Sequence, residues 1–450
     1  MKTTTPQIEN SNSKVHLFFL AFFTLATFLF QISNFYGEDI VNARENFLTG
    51  ARTDFWGGAS TLFYSTVPDF GFRWQIWLAI FQVLITTVGL RIMFFRNNKT
   101  KYPRPLTLAV TYFALLIGSQ MTRDGLMFSL LVLGYALFQE GIHKARTKNI
   151  IFSIFVLSLA FSLRPWLSVS ILPIIIFILK LGKDSLGRFK ATLICSAIVM
   201  APFLVDLTAA KALDLNRSYP QQQVILMDAA AGYCYSNNFE TGKNTEKILS
   251  SFYSTENFSS QICQMFRPDT WESLFHSENV SARGTESNFM LLKPGQETKY
   301  RNLKSEWLRM IVNDPITYLQ NRILFAGKLM IGSDTRNISI INVKGFPATL
   351  TALYKLPYEI GISLHLFSIL ALLFYLTLGA VRVSKARMRT QIEGLTLDRL
   401  STLLIISVIL WSIASSVAYI GSNGRYTYSI TLLALIIHTS HSTRAGNSNA

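Results

Sequence analysis

Apolar runs of roughly membrane-spanning length recur along most of this chain and alternate with short polar or basic segments. A helix needs about twenty mostly apolar residues to cross a bilayer, and it shows no polar face where lipid surrounds it. The pattern therefore predicts an all-α polytopic membrane protein of about ten transmembrane helices. The predicted spans are 16–35, 74–95, 105–121, 125–139, 149–163, 165–181, 191–209, 357–381, 400–420 and 427–440.

Four clusters of Lys and Arg between these runs predict the orientation of the spans. They fall within 96–104, 143–148, 183–190 and 382–389. Short basic loops are retained in the cytoplasm, and two loops on one side are separated by an even number of crossings. Residues 105–140 must then form a hairpin that turns near Thr122-Arg123-Asp124, and a second turn must fall at Arg164. Ten spans leave both termini on the cytoplasmic side of a bacterial inner membrane.

This topology divides the chain into three parts. Residues 1–209 form a membrane module of seven spans with a first outer loop at 37–73, and residues 357–450 form a second module of three spans. Residues 210–356 between them form an α-rich extracytoplasmic domain, with helices predicted near 245–254 and 300–312. Residues 316–332 are apolar but interrupted by Arg322 and Lys328, which favours an amphipathic helix on the outer surface or a re-entrant segment.

Composition agrees with a membrane protein, since 50% of the residues are hydrophobic and only 15% are charged. The net charge of +16 could suggest nucleic acid, but the basic residues lie in brief segments between apolar runs. That distribution is typical of orientation signals and of contacts with anionic lipids, so membrane lipids rather than nucleic acid are the expected partners. Cys234 and Cys263 both fall in the outer domain, where a disulfide could persist, and the sequence leaves their pairing open.

Three short turns on the predicted outer face carry an arginine, at Arg123, Arg164 and Arg425. Lys and Arg in short loops normally stay in the cytoplasm, so arginine on the outer face indicates a partner there. The planar guanidinium pairs with phosphate through two hydrogen bonds, which favours the phosphate of a lipid-linked substrate as that partner. Alternatives are an ion pair within the protein, Arg123 with Asp124 or Asp206, or extension of the side chain to ordinary headgroups. Further candidates near such a phosphate are Trp166, Arg322 and Tyr426.

Acidic candidates lie in the first outer loop. Glu38-Asp39 follows the first span directly, and Asp54 adjoins Trp56. A carboxylate against a hydrophobic wall has a raised pKa and can accept the proton of a hydroxyl nucleophile, or orient a divalent metal on a diphosphate. The alternative for Asp39 is a helix N-terminal cap, because a helix-like stretch follows it. No Cys or His spacing predicts a dedicated metal site, and the need for a divalent metal is left open.

Together these features resemble the GT-C superfamily of integral membrane glycosyltransferases. The resemblance is carried by the many spans, the acidic pair after span one, the outer arginines and the Arg425-Tyr426 pair. It is also carried by two local blocks, Leu226-Met227-Asp228-Ala229-Ala230 and Trp307…Asp314-Pro315-Ile316-Thr317-Tyr318-Leu319…Arg322. It implies transfer of a sugar from a polyprenyl-phosphate carrier on the extracytoplasmic side, with the first-loop acid near the reacting centre and Asp228 as a further candidate.

Two other functions compete with this interpretation. The hairpin at Thr122-Arg123-Asp124-Gly125 also resembles bacterial polymerases of lipid-linked surface polysaccharide. A flippase or transporter of lipid-linked saccharide is the non-enzymatic alternative. Such a transporter would place charged residues at mid-membrane depth in broken helices, whereas the charges here fall mostly at the ends of the predicted spans, which favours chemistry at the outer surface.

Overall fold

The structure is a computed structural model, and it describes the greater part of residues 17–331 together with a few positions between 406 and 436. The described residues are 17–25, 27, 38–50, 57–69, 74–95, 105–118, 121–144, 146–173, 188–216, 219, 221–236, 239–250, 262–264, 266, 295–331, 406–407, 410–411, 433 and 436. Across this part of the chain the regular elements are helices and no strand occurs, so the all-α class is confirmed. The predicted C-terminal spans lie almost wholly outside the described residues.

Eleven labelled α-helices carry the fold of the described ranges. They are α1 (Glu38–Leu48), α2 (Gly58–Thr66), α3 (Trp74–Leu90), α4 (Pro105–Gly118), α5 (Arg123–His143), α6 (Thr147–Ser162), α7 (Arg188–Ala212), α8 (Gln222–Tyr235), α9 (Phe239–Ser250), α10 (Glu297–Asn313) and α11 (Pro315–Ile331). Two stretches, Trp74–Phe94 and Thr192–Ala212, are long and apolar enough to cross a membrane, and α6 is apolar but shorter.

The first hydrophobic core is built by α3, α5, α6 and α7, with α5 packed along both α3 and α6. The predicted hairpin is present, because α4 ends at Gly118 and α5 begins at Arg123. Small polar groups join the helices inside this core: the Thr86 hydroxyl donates to Ser129 Oγ at 3.0 Å, and Ser129 donates to the Gly118 carbonyl at 2.7 Å. Hydrogen bonds of this kind between closely packed helices stabilise helix pairs in lipid.

The segment after Arg164 departs from the prediction of a regular span at 165–181. Residues Pro165–Ile171 form a 3-10 helix, and residues 174–187 lie outside the described part. The reason is local: Ser168 donates to the Pro165 carbonyl at 2.8 Å and Ser170 to the Leu167 carbonyl at 2.5 Å. Hydroxyls that bond three residues back compete with the α-helical pattern and favour the tighter turn.

The predicted first outer loop, 37–73, contains α1 and α2, which pack against each other, and α2 packs on the C-terminal half of α7. Gly58 permits the close approach, because a Cβ there would lie 2.3 Å from the backbone nitrogen of Ala210. Asp206 Oδ1 accepts from the Ala59 N–H at 3.0 Å at the start of α2, and buried Arg44 donates to the Tyr64 carbonyl at 2.6 Å at its end. Both ends of α2 are therefore held by charged side chains.

A second, separate hydrophobic core is formed by α8, α9 and α10 with part of α11. It lies wholly within the predicted extracytoplasmic domain, residues 210–356. Cys234 at the end of α8 is bonded to Cys263, so the disulfide that the sequence left open is formed. The helices predicted at 245–254 and 300–312 correspond to α9 and α10, both of which begin earlier than predicted, and residues 251–254 lie outside the described part. The amphipathic segment predicted at 316–332 is observed as α11.

Candidate functional site

A buried ion pair lies where α8, α10 and α11 meet. Arg322 Nη2 donates to Asp228 Oδ2 at 2.6 Å, and Trp307 Nε1 donates to the same oxygen at 2.9 Å. Both charged residues are buried, with Asp228 2% and Arg322 6% exposed. The Arg322 guanidinium also lies over the Tyr318 ring, 5.7 Å from its centroid. The two short blocks that carry the sequence resemblance thus meet in one place.

Local sequence explains how the three helices present these groups. Asp228 is the one charged residue of α8, a mostly apolar helix that is buried along most of its length. Helix α11 begins at Pro315, whose fixed φ suits the first helical position. Asp314 before it accepts from the Thr317 N–H at 3.1 Å, as a helix N-cap does, and from the Ser236 hydroxyl at 2.5 Å. The start of α11 is therefore fixed to the end of α8, which sets the position of Arg322 relative to Asp228.

The carboxyl of Asp228 differs from an ordinary one in its proton affinity. Burial raises its pKa, and this outweighs the lowering by the Arg322 charge and by the hydrogen bonds from Arg322 and Trp307. The pKa of the Tyr318 phenol is also raised, by burial first and then by the Asp228 charge. Asp314 behaves in the opposite way, since the hydrogen bond from Ser236 lowers its pKa. The pKa values of these two neighbouring carboxyls are therefore shifted in opposite directions. Such a difference is typical of sites in which one carboxyl exchanges a proton and the other stays ionised.

A small cavity adjoins the ion pair. Its lining includes Asp228, Asp314, Thr317, Tyr318 and Asn321. The space open to the centre of a water molecule is about 10 Å³, which is room for one water. Asp228 Oδ1 and Asn321 Oδ1 are buried and accept no hydrogen bond within the described part of the chain. Two such acceptors beside one cavity favour a donor group there, such as a water or a hydroxyl.

A second buried ion pair lies in the first core and joins the two predicted outer turns. Arg164 Nε donates to Asp124 Oδ1 at 2.8 Å and Arg164 Nη2 to Asp124 Oδ2 at 3.2 Å, and both residues are at most 6% exposed. Arg164 therefore makes its two parallel hydrogen bonds to the Asp124 carboxylate of the same chain, whereas the sequence predicted a lipid phosphate as the acceptor. An internal pair was one of the sequence-based alternatives, although it was expected at Arg123. A phosphate could bind Arg164 in this geometry only after displacing Asp124.

The remaining sequence-predicted residues are distributed as follows. Arg123 opens α5 and is half-buried, and Trp166 is 55% exposed and meets the Phe203 ring edge-on at 5.6 Å. Glu38 and Asp39 lie in the first turn of α1, whose observed start at Glu38 places Asp39 inside the helix rather than at the predicted cap position. Their side chains are outside the described part, as are Asp54, Arg425 and Tyr426.

Sequence reasoning did not assign roles to Trp307, Tyr318, Asn321 or Asp314, although the first, second and fourth stand in the quoted blocks. One signal could have found the pair at the centre. An Asp in one mostly apolar helix and an Arg in another are each costly to bury without a partner, which favours pairing of the two charges. Another first-loop carboxylate, Asp69, accepts from the Trp74 N–H at 3.1 Å at the start of α3.

No protein-family model, curated protein or solved structure matches this chain. Within the described residues there is also no group of three or more His, Cys, Asp or Glu side chains that could hold a metal ion.

Proposed function

We propose that the chain is a polytopic membrane glycosyltransferase that moves a sugar from a polyprenyl-phosphate carrier to an acceptor on the extracytoplasmic face. The observation that carries this is the Asp228 carboxyl: it is buried, its pKa is raised, and its Oδ1 is left without a hydrogen-bond partner beside a cavity within the described residues. A raised pKa makes the ionised carboxyl a stronger proton acceptor, which is what a general base requires.

In the proposed reaction Asp228 acts as that base. It takes the proton of the acceptor hydroxyl while the hydroxyl oxygen bonds to the anomeric carbon, and the bond from that carbon to the carrier phosphate breaks. The products are the glycoside and the free polyprenyl phosphate, and the proton is held on Asp228. Arg322 keeps positive charge beside Asp228, where it can offset the negative charge of the leaving phosphate.

The position of the site supports an extracytoplasmic reaction. Cys234, which forms the disulfide with Cys263, lies six residues after Asp228 in the last turn of the same helix. Disulfides persist in oxidising compartments and are rare in the cytoplasm. The topology of ten spans with both termini inside is part of the proposal. Reporter fusions after Lys101, Lys148, Lys190 and Arg389 should read cytoplasmic, and a fusion within 240–300 should read outside. A cytoplasmic signal from that last fusion would contradict the proposal.

The activity test uses the full chain in nanodiscs with lipid-linked sugars extracted from membranes. Mass spectrometry follows the loss of the donor and the appearance of free polyprenyl phosphate. We expect Asp228→Asn to reduce this turnover by about 10²–10⁴-fold, the usual worth of a positioned base. The matched control is Asp214→Asn, because Asp214 is exposed and has a positive φ that asparagine also adopts readily.

Three outcomes count against the proposal. Wild-type turnover in Asp228→Asn would contradict the role of Asp228 as the base. Absence of donor loss with every extracted lipid would contradict the transferase activity. A ladder of repeating units instead of a single addition identifies the polymerase alternative. Asp39→Asn, Glu38→Gln and Asp54→Asn belong in the same assay as the competing acids, and with Asp228 as the base each should stay within a few-fold of wild type.

A further inference from the structure

The side of α11 that faces away from the second core is exposed and mostly apolar, with Gln320 as a polar residue among its described positions. Ile316, Leu319, Ile323 and Leu324 are each more than half exposed, at spacings of three, four and one residues that keep them on one face of the helix. The opposite face carries Asn321 and Arg322, both buried in the domain. A helix with one face in a protein core and an apolar face uncovered is unusual for a soluble surface.

The end of α10 extends this apolar surface. Leu308 and Val312 lie one turn apart and are 48% and 77% exposed, while Leu303 and Met310 face the core. We call the exposed set of Leu308, Val312, Ile316, Leu319, Ile323 and Leu324 the apolar stripe. These residues belong to the last turns of α10 and the first half of α11, two helices that are joined at Asp314.

Positive charge stands at the N-terminal end of the stripe. Arg301 and Lys304 precede Leu308 by seven and four residues, so they lie on the same face of α10. Both are exposed, and neither forms an ion pair with a described residue. An uncovered apolar face next to basic residues on the same side is the chemistry that recognises anionic phospholipids.

We propose that α10 and α11 form a membrane-docking surface that lies flat on an anionic phospholipid bilayer. The apolar stripe enters the boundary between headgroups and acyl chains, and Arg301 and Lys304 contact lipid phosphates. A transmembrane orientation of α11 is disfavoured, since it would pull the Arg322 guanidinium out of its 2.6 Å contact with Asp228. A second copy of the chain is the competing occupant of this surface, and coupling between spin labels distinguishes it from lipid.

Docking also sets the height of the ion pair above the bilayer. The stripe and Arg322 lie on opposite faces of one helix, and a helix with its side chains is roughly 10 Å across. The Asp228–Arg322 pair therefore stands about one helix diameter from the lipid boundary. This consequence matters for the proposed transfer of a lipid-linked sugar, but the docking surface itself does not depend on that activity.

The test measures the depth of single spin labels in the full chain reconstituted in vesicles of phosphatidylethanolamine and phosphatidylglycerol. The free Cys195 is replaced by Ser, and labels are placed at Leu319→Cys and Ile323→Cys on the stripe. Matched controls are Asn302→Cys on the polar end of α10 and Glu246→Cys on α9, both exposed. Collisions with oxygen report lipid, and collisions with a soluble nickel chelate report water.

We expect both stripe labels to favour oxygen at a depth of about 5–10 Å, as for other helices that lie in the interface, and both controls to favour nickel. Charge reversal by Arg301→Glu with Lys304→Glu should make the stripe labels shallower in these vesicles and leave them unchanged in neutral phosphatidylcholine. Nickel access at the stripe, a depth that differs between Leu319 and Ile323 by about 6 Å, the rise of four residues in a helix that crosses the bilayer, or label coupling that grows with protein density would each overturn the proposal. They indicate an aqueous face, a span and a second copy, respectively. A depth that does not respond to charge reversal overturns the role of the two cations.

Discussion

The two buried Asp–Arg pairs use the same residue types in opposite ways. In the first core both oxygens of Asp124 are paired with two nitrogens of Arg164, which leaves the carboxylate satisfied. In the second core Asp228 Oδ2 takes hydrogen bonds from both Arg322 and Trp307, while Oδ1 is left beside a cavity. The Asp124–Arg164 pair, in which both carboxylate oxygens are hydrogen-bonded, holds two turns of the helical bundle together. The Asp228–Arg322 pair leaves one carboxylate oxygen able to accept a hydrogen bond from another group. Geometry, not residue type, separates a structural pair from a candidate site.

The largest difference in stability should follow from removing one arginine of each pair. Arg164→Gln leaves the Asp124 carboxylate buried without its cation, and we expect a loss of about 3–5 kcal/mol in the free energy of unfolding. Arg322→Gln should cost less, because burial already raises the pKa of Asp228 and the carboxyl can take a proton instead. Thermal unfolding of both variants in one detergent measures the difference. Equal losses would mean that the two pairs are equivalent.

The second core should depend on its disulfide, whereas the described part of the first core has none. Cys234→Ser with Cys263→Ser removes a cross-link between residues 29 apart, a change worth about 2–4 kcal/mol. We expect limited proteolysis to cut faster within 219–331 and to leave the helices of 74–162 as resistant as before. The Cys195→Ser variant is the control for loss of a thiol. Equal acceleration in both regions would contradict two separate cores.

The Asp228–Arg322 pair should also make the free energy of unfolding depend on pH. The pKa of Asp228 is raised in the folded state, so its contribution to stability is fully present below the ordinary Asp pKa of about 3.9 and is lost as pH rises through the raised value. The loss is at most about 1.4 kcal/mol per pH unit in that window. Wild type minus Asp228→Asn should show this slope in thermal unfolding. A difference that grows more favourable to wild type as pH rises has the wrong sign and would refute the assignment.

Much of the fold follows from pattern, and little of the site does. Parity of the basic loops predicted a turn between 105 and 140, and the structure ends α4 at Gly118 and starts α5 at Arg123. Periodicity located α10 and α11 to within a few residues. Pairing across long separations could not be read this way, because Asp228 and Arg322 are 94 residues apart and their contact depends on how three helices pack. The 3-10 turn at Pro165 was missed because two serine hydroxyls override the apolar pattern around them.

The most direct test of the difference between the two Asp–Arg pairs compares variants in which both charges of one pair are neutralised. Asp124→Asn with Arg164→Gln and Asp228→Asn with Arg322→Gln each remove both charges at once, which avoids a lone buried ion and lets both variants fold. Donor turnover per folded molecule in nanodiscs is then compared with wild type. We expect turnover within about threefold of wild type for the first variant and a fall of about 10²-fold or more for the second. Equal turnover in the two variants would show that the Asp228–Arg322 pair, like Asp124–Arg164, only holds the fold together.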